Sequence, residues 1–142
     1  MNDDISNQTL EQVDGVVWPD PPSNATRLMK TVHTLRRKPI GSFTAEDLRI
    51  MLGQHEGTSA LLPRVLDVLE RNPLAEGDYY PGDLLVSALK IPRSDWTANP
   101  TAVIRLRAVV DRLMLRDDLD VYFPSDDEIW QRIEELKTSG IL

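Results

Sequence analysis

Ten prolines divide the 142-residue chain into short segments. Proline fixes φ and removes a backbone donor, so a helix ends before most prolines and begins at a few of them. Between the prolines, apolar residues recur every three or four positions, as in Leu28, Val32 and Leu35. This spacing places side chains on one face of a helix. The sequence therefore predicts an all-α fold, a single-domain bundle of about five to six short helices.

Capping residues predict where several of these helices begin. The first starts at Ser23 or Asn24, since either is a good N-cap. The second starts at Thr44, which with Asp47 resembles a capping box. The third runs to about Arg71.

The later segments give similar signals. Pro63 is predicted near the first turn of the third helix, because in mid-helix it would cause a kink. Asn99 can cap the next long helix, and Ser125 with Glu128 forms a capping box for the last one. The only candidate strand is residues 120–123.

The N-terminal residues differ from the rest in charge and in proline content. Residues 1–24 carry five acids and no base, and residues 18–22 read WPDPP. We predict that residues 1–22 form an acidic, loosely ordered arm and that residues 23–142 form the helical domain. The chain opens without a signal-peptide pattern, so a cytoplasmic location is expected. The all-α domain is expected to be a monomer. The absence of cysteine excludes disulfides and thiolate catalysis.

The formal net charge of −7 restricts the kind of partner. Residues 117–142 alone carry eight acids against two bases. Nucleic-acid binding depends on Lys and Arg, so this balance disfavours nucleic acid and favours a basic protein. Solubility alone would also explain the charge.

Catalytic signatures are missing. His33 and His55 are the only histidines, and no metalloprotease, nucleophile-elbow or phosphate-loop motif occurs. We therefore predict no enzymatic activity, no cofactor, no bound metal and no membrane contact. Two alternatives stay open. One is a small hydrolase-like helper enzyme using a histidine, and the other is a helix-turn-helix regulator reading DNA through Arg105, Arg112 and Arg116. Pairing of these arginines with the acidic C-terminus is the simpler interpretation.

Two acidic groups are the best candidates for contact with a basic partner. The loop at 73–83 combines acids with tyrosines, which provide contact area at low entropic cost. The second group is a run of aspartates that fails the EF-hand pattern. The candidate contact residues are Glu76, Asp78, Tyr79, Tyr80, Asp117, Asp118, Asp120, Asp126 and Asp127.

Two stretches resemble a known family. Residues 35–49 read LRRKPIGSFTAEDLR and residues 72–85 read NPLAEGDYYPGDLL. Together they are similar to immunity proteins of contact-dependent growth inhibition, the CdiI group, over residues 15–96. The resemblance implies a cytosolic protein that binds the C-terminal toxin domain, often a nuclease, of its cognate CdiA effector in a 1:1 complex. Immunity proteins must differ where they discriminate toxins, so the shared motifs are expected to be scaffold.

Overall fold

Short helices account for the regular structure of the computed structural model, which describes residues 5–142. In chain order these are α1 Leu10–Asp14, α2 Arg27–Arg36, a 3₁₀ turn at Ile40–Ser42, α3 Ala45–Gly53, α4 Thr58–Arg71, α5 Asp83–Leu89, α6 Arg93–Thr97, α7 Pro100–Met114, α8 Leu119–Tyr122 and α9 Glu128–Thr138. No strand occurs within the described residues, where the one bridge pairs Glu76 with Pro81. The all-α prediction is confirmed. The number of helices was underestimated, because α1, α6 and α8 have only four or five residues, too few to show a hydrophobic period.

The N-terminal segment contains a helix that the sequence analysis did not predict. Thr9 caps α1 in a reciprocal capping box with Gln12, and the side chain of Leu10 is buried. These local hydrogen bonds and one apolar anchor are enough for a single turn. Residues 1–4 of the predicted arm lie outside the described part of the chain.

The start of α2 also differs from the prediction. Thr26, rather than Ser23 or Asn24, is the N-cap, because its hydroxyl accepts from the Met29 amide. Leu28 is exposed, although it shares a helical face with the buried Val32. Residues 27–30 are all exposed, so the first turn of α2 extends beyond the core.

The core joins the helices in pairs. Helix α3 packs on α5, α4 packs on α7, and α5 packs on α9. Aliphatic side chains such as Leu48, Leu66 and Leu106 fill the interior, and Trp96 is completely buried. Each buried leucine contributes about 1.5–3 kcal/mol.

Sequence signals for the later helices were correct in part. The box of Thr44 and Asp47 is present, with both reciprocal hydrogen bonds. Pro63, however, is the sixth residue of α4 rather than part of its first turn, because α4 begins at Thr58.

The predicted start of α9 and the predicted strand are both wrong. Asp127, not Ser125, caps α9 by accepting from the Ile129 amide at 3.0 Å. Residues 120–123 lie in and directly after α8 rather than in a strand. Leu119 and Phe123 are both buried, and their spacing of four suits one helical turn.

Candidate partner-binding surface

Arg36, the first arginine of the 35–49 motif, is buried and forms hydrogen bonds within the protein. Arg36 is 1% exposed, and its guanidinium donates to Glu56 Oε1 at 2.6 Å and to both carboxylate oxygens of Asp14 at 2.9 and 3.0 Å. It also donates to the Val16 carbonyl at 2.7 Å and lies 4.7 Å from the Trp18 ring centre. Arg36 therefore ties residues 14–18 to α2, and its burial keeps the guanidinium out of reach of a partner.

The next two cations of the motif are used in the same way. Arg37 forms ion pairs with Glu11 and Asp20 at 3.2 and 2.9 Å. Lys38 donates to Asp47 at 2.6 Å, so it also supports the cap of α3. Arg36, Arg37 and Lys38 thus join the N-terminal segment, α2 and α3.

Two carboxylates accept hydrogen bonds from backbone amides of the loop between α4 and α5. Asp83 is 2% exposed, and its oxygens accept from the Gly77 amide at 2.7 Å and the Tyr79 amide at 3.1 Å. Glu46 accepts from the Asp78 amide at 2.9 Å. Hydrogen bonds from Arg49 lower the pKa of Glu46 against the opposing effect of burial. These contacts fix the backbone of the loop.

The two tyrosines of this loop are exposed at the surface. Tyr79 is 69% exposed and lies under the Arg49 guanidinium, 4.3 Å from the ring centre. Tyr80 is half-exposed, and burial, together with the charges of Glu128 and Asp127, raises its phenol pKa. Tyr80 is therefore close to the N-terminus of α9.

The remaining loop candidates, Glu76 and Asp78, are exposed. The Glu76 carboxylate makes no hydrogen bond or ion pair within residues 5–142. Asp78 is bound to Glu46 through its backbone amide, so its carboxylate, like that of Glu76, is available to a partner.

The structure separates the predicted aspartate run into paired and unpaired carboxylates. Asp118 accepts twice from Arg116 at 2.9 Å, and this contact lowers the pKa of Asp118. Asp127 is occupied as the cap of α9. Asp117, Asp120 and Asp126 are exposed and make no side-chain hydrogen bond or ion pair with any described residue.

Phe123 brings the loop and part of the aspartate run together. A β-carbon at Gly82 would lie 2.5 Å from Phe123 Cζ, so the base of the loop rests on this ring. On its other side Phe123 helps line an open hollow of about 360 Å³ with Asp120, Ser125 and Trp130. We call the surface around it the acidic face, defined by Tyr80, Asp120, Asp126, Asp127 and Glu128. The sequence analysis used Glu128 only as a capping residue and did not predict the hollow, because both depend on how α8 and α9 pack.

Two of the three arginines predicted to share one side of α7 have partners other than those predicted. Arg105 binds Asp67 and Glu70 of α4 at 2.7 Å, and these contacts raise its pKa. Arg112 donates to the Glu70 carbonyl. Only Arg116 pairs with the acidic C-terminal region, as was predicted for all three. The reason is the packing of α7 on α4, which places the acids of α4 closer.

The two histidines show no catalytic pairing. His33 meets the Trp18 ring edge-on at 4.9 Å, and its buried Nδ1 has no hydrogen-bond partner. His55 is exposed, with φ at +54°. A histidine-dependent hydrolase uses a hydrogen bond from the imidazole to a carboxylate to orient its base. Within the described residues, neither imidazole makes such a hydrogen bond. No three metal-ligating side chains of residues 5–142 converge, and no helix there is long and apolar enough to cross a bilayer.

The comparisons with known proteins agree with the resemblance of the two motifs. A family model described as CDI immunity proteins matches residues 12–106, about two thirds of the chain. No curated protein and no solved structure matches. The matched range ends in the middle of α7 and leaves α8 and α9 outside.

Proposed function

Because the chain belongs to the family of CDI immunity proteins, we propose that it binds and neutralises the C-terminal toxin domain of a cognate CdiA effector. CDI stands for contact-dependent growth inhibition. The family match over residues 12–106 carries this proposal. The net charge of −7 supports a basic toxin, such as a nuclease. In this proposal the protein acts in the cytoplasm, forms a 1:1 complex and catalyses no reaction.

We further propose that the toxin contacts the acidic face and the neighbouring loop. Tyr79 and Tyr80 would be the anchors, since exposed tyrosines offer large contact area at low entropic cost. The unpaired carboxylates of Glu76, Asp120 and Asp126 would attract a basic domain. Such steering raises association rates by roughly 10- to 1000-fold at low salt. Asp78, Asp118 and Asp127 would contribute charge while keeping their internal contacts.

Growth protection tests the function. The C-terminal domain of the cognate CdiA effector would be expressed from an inducible promoter in a laboratory bacterium, with and without this protein. We expect growth arrest without the protein and normal growth with it. The purified domain should also bind the protein at a stoichiometry of one in calorimetry. Arrest in both cultures, with both proteins present in soluble form, would refute the proposal.

Paired variants test the surface. We expect Tyr79→Ala with Tyr80→Ala to lose about 2 kcal/mol of binding. Changing Asp120→Asn with Asp126→Asn should slow association at low salt and have little effect at high salt. The matched control is Asp111→Asn with Glu134→Gln, which changes the net charge equally at exposed positions elsewhere.

Thermal melts would confirm that each of these variants is folded. Wild-type binding by both test variants would place the contacts away from the acidic face and the loop.

The enzyme alternative has its own test. Replacing His33→Gln together with His55→Gln should leave toxin neutralisation unchanged, because neither imidazole takes part in a carboxylate pair of the described residues. Loss of protection by a variant that melts like the wild type would favour the hydrolase-like helper. Tight, salt-dependent binding of duplex DNA would favour the DNA-reading regulator.

A further inference from the structure

Four residues with exposed apolar side chains follow one another closely in sequence where α7 ends and α8 begins. Leu115 is 85% exposed and Val121 75% exposed, and Met114 and Tyr122 are partly exposed beside them. Single exposed apolar residues are common on soluble proteins, so this group becomes a candidate interaction site only through its support, its charged surroundings and its position in the chain. We call Leu115, Val121 and Tyr122 the apolar corner.

The apolar corner is held in place by buried neighbours. Leu113, Leu119 and Phe123 in the same segment are all buried. Because α8 has a single turn, its buried Leu119 fixes the direction in which Val121 and Tyr122 point. The exposed side chains are therefore presented by anchored backbone, which reduces the entropy lost on binding.

Charge around the apolar corner specifies the partner. Asp117 and Asp120 are exposed and unpaired among the described residues. The nearby cation, Arg116, is neutralised by Asp118 and lies 5.7 Å from the ring centre of Tyr122. An apolar centre with a negative rim fits an apolar pocket bordered by Lys or Arg. A second copy of this chain would bring two negative rims together, so the charge disfavours self-association.

The apolar corner also lies beyond the part of the chain that the family shares. The family model ends at residue 106, whereas the corner begins at Leu115. Within the matched part, the motif residues Arg36, Lys38 and Glu46 are used for internal contacts. Proteins that share a scaffold and discriminate partners need contacts that differ between members.

We propose that the apolar corner is the specificity anchor through which this protein recognises its own toxin domain. The inference rests on the proposed function and adds residues that the charge argument did not include. Apolar anchors at the centre of an interface act mainly on dissociation, whereas rim charges act mainly on association.

The experiment compares two double variants of the full chain for binding to the cognate CdiA C-terminal domain. The test variant is Leu115→Gln with Val121→Gln. The matched control is Val17→Gln with Ile104→Gln, two residues of the family-matched part that are 71% and 65% exposed. Neither variant alters charge, and thermal melts should match the wild type because all four side chains are already exposed.

We expect the test variant to bind at least tenfold more weakly, through faster dissociation that does not depend on salt, while the control binds normally. Normal binding by the test variant, with the wild type still neutralising the toxin, would overturn the inference and leave the proposed function standing. A wild type that binds no toxin would overturn both. A wild-type dimer that the test variant converts to monomer would assign the corner to self-association and also overturn the inference.

Discussion

Replacing Arg36 by Met should cost the fold about 3 kcal/mol, the lower part of the range for breaking a buried ion pair. The side chain is 1% exposed and reaches two carboxylates and one carbonyl. Met keeps most of the buried volume and removes only the charged head. Asp14 is 42% exposed and Glu56 25%, so water can partly replace the lost contacts, which keeps the loss at the lower end.

Arg37 provides the matched control. It is next in sequence and also binds two carboxylates, but it is 43% exposed and one partner, Asp20, is 84% exposed. Arg37→Met should therefore change stability much less than Arg36→Met. Urea unfolding followed by circular dichroism gives the two free energies. Trp18 fluorescence would report release of the N-terminal segment, since Arg36 lies against its ring. Equal losses for both variants would refute the claim that the buried guanidinium holds this segment.

Three further predictions concern the loop and its support. Asp83→Asn should lose about 1–3 kcal/mol in urea unfolding, because the amide cannot accept from both loop amides. Gly82→Ala should lower the melting temperature, since φ is +90° and the added carbon would lie 2.5 Å from an aromatic ring, while Gly53→Ala, with no atom within 4 Å, should not. Arg49 lowers the pKa of Glu46, so this stabilisation is complete above the ordinary pKa of about 4.3 and is lost as the pH falls through the folded-state value. The urea concentration at the unfolding midpoint should decrease as the pH is lowered through that range, and the decrease should be smaller for Glu46→Gln.

Predictions from the sequence were accurate where local chemistry decides the outcome. The box of Thr44 and Asp47 forms because each partner is three residues from the other, within reach in any helix. Pro100 marks the start of α7, since proline fits the first position, and Asn99 is at the N-cap position but makes no capping hydrogen bond with its side chain. Signals of this kind are complete within one turn, so one sequence is enough to find them.

The sequence was misleading where two local signals compete. Ser125 and Asp127 can both cap α9, and only the position of the buried Ile129 decides between them. Residues 120–123 have strand-like composition, but Leu119 and Phe123 are buried together one turn apart. In both cases packing with a distant part of the chain overrides local preference.

The candidate site shows the same limit. Composition identified Tyr79, Tyr80 and the aspartates as contact candidates, but could not tell which carboxylates are already paired. Asp118 and Asp120 are two residues apart and differ completely in this respect, because the Arg116 side chain reaches only the first. Pairing depends on the direction of each side chain, which a four-residue helix sets and composition does not.

The internal use of the motif residues limits where a toxin could be recognised under the proposed function. Arg36 cannot contact a toxin without releasing residues 14–18, and Asp83 cannot do so without releasing the loop. A change at either position alters stability before it alters recognition. Leu115 and Val121 do not support the fold in this way, because their side chains are mostly exposed in the free protein. If the apolar corner recognises the toxin, as we propose, substitutions there would change the partner while the fold stays intact, so discrimination between toxins could evolve without loss of the scaffold.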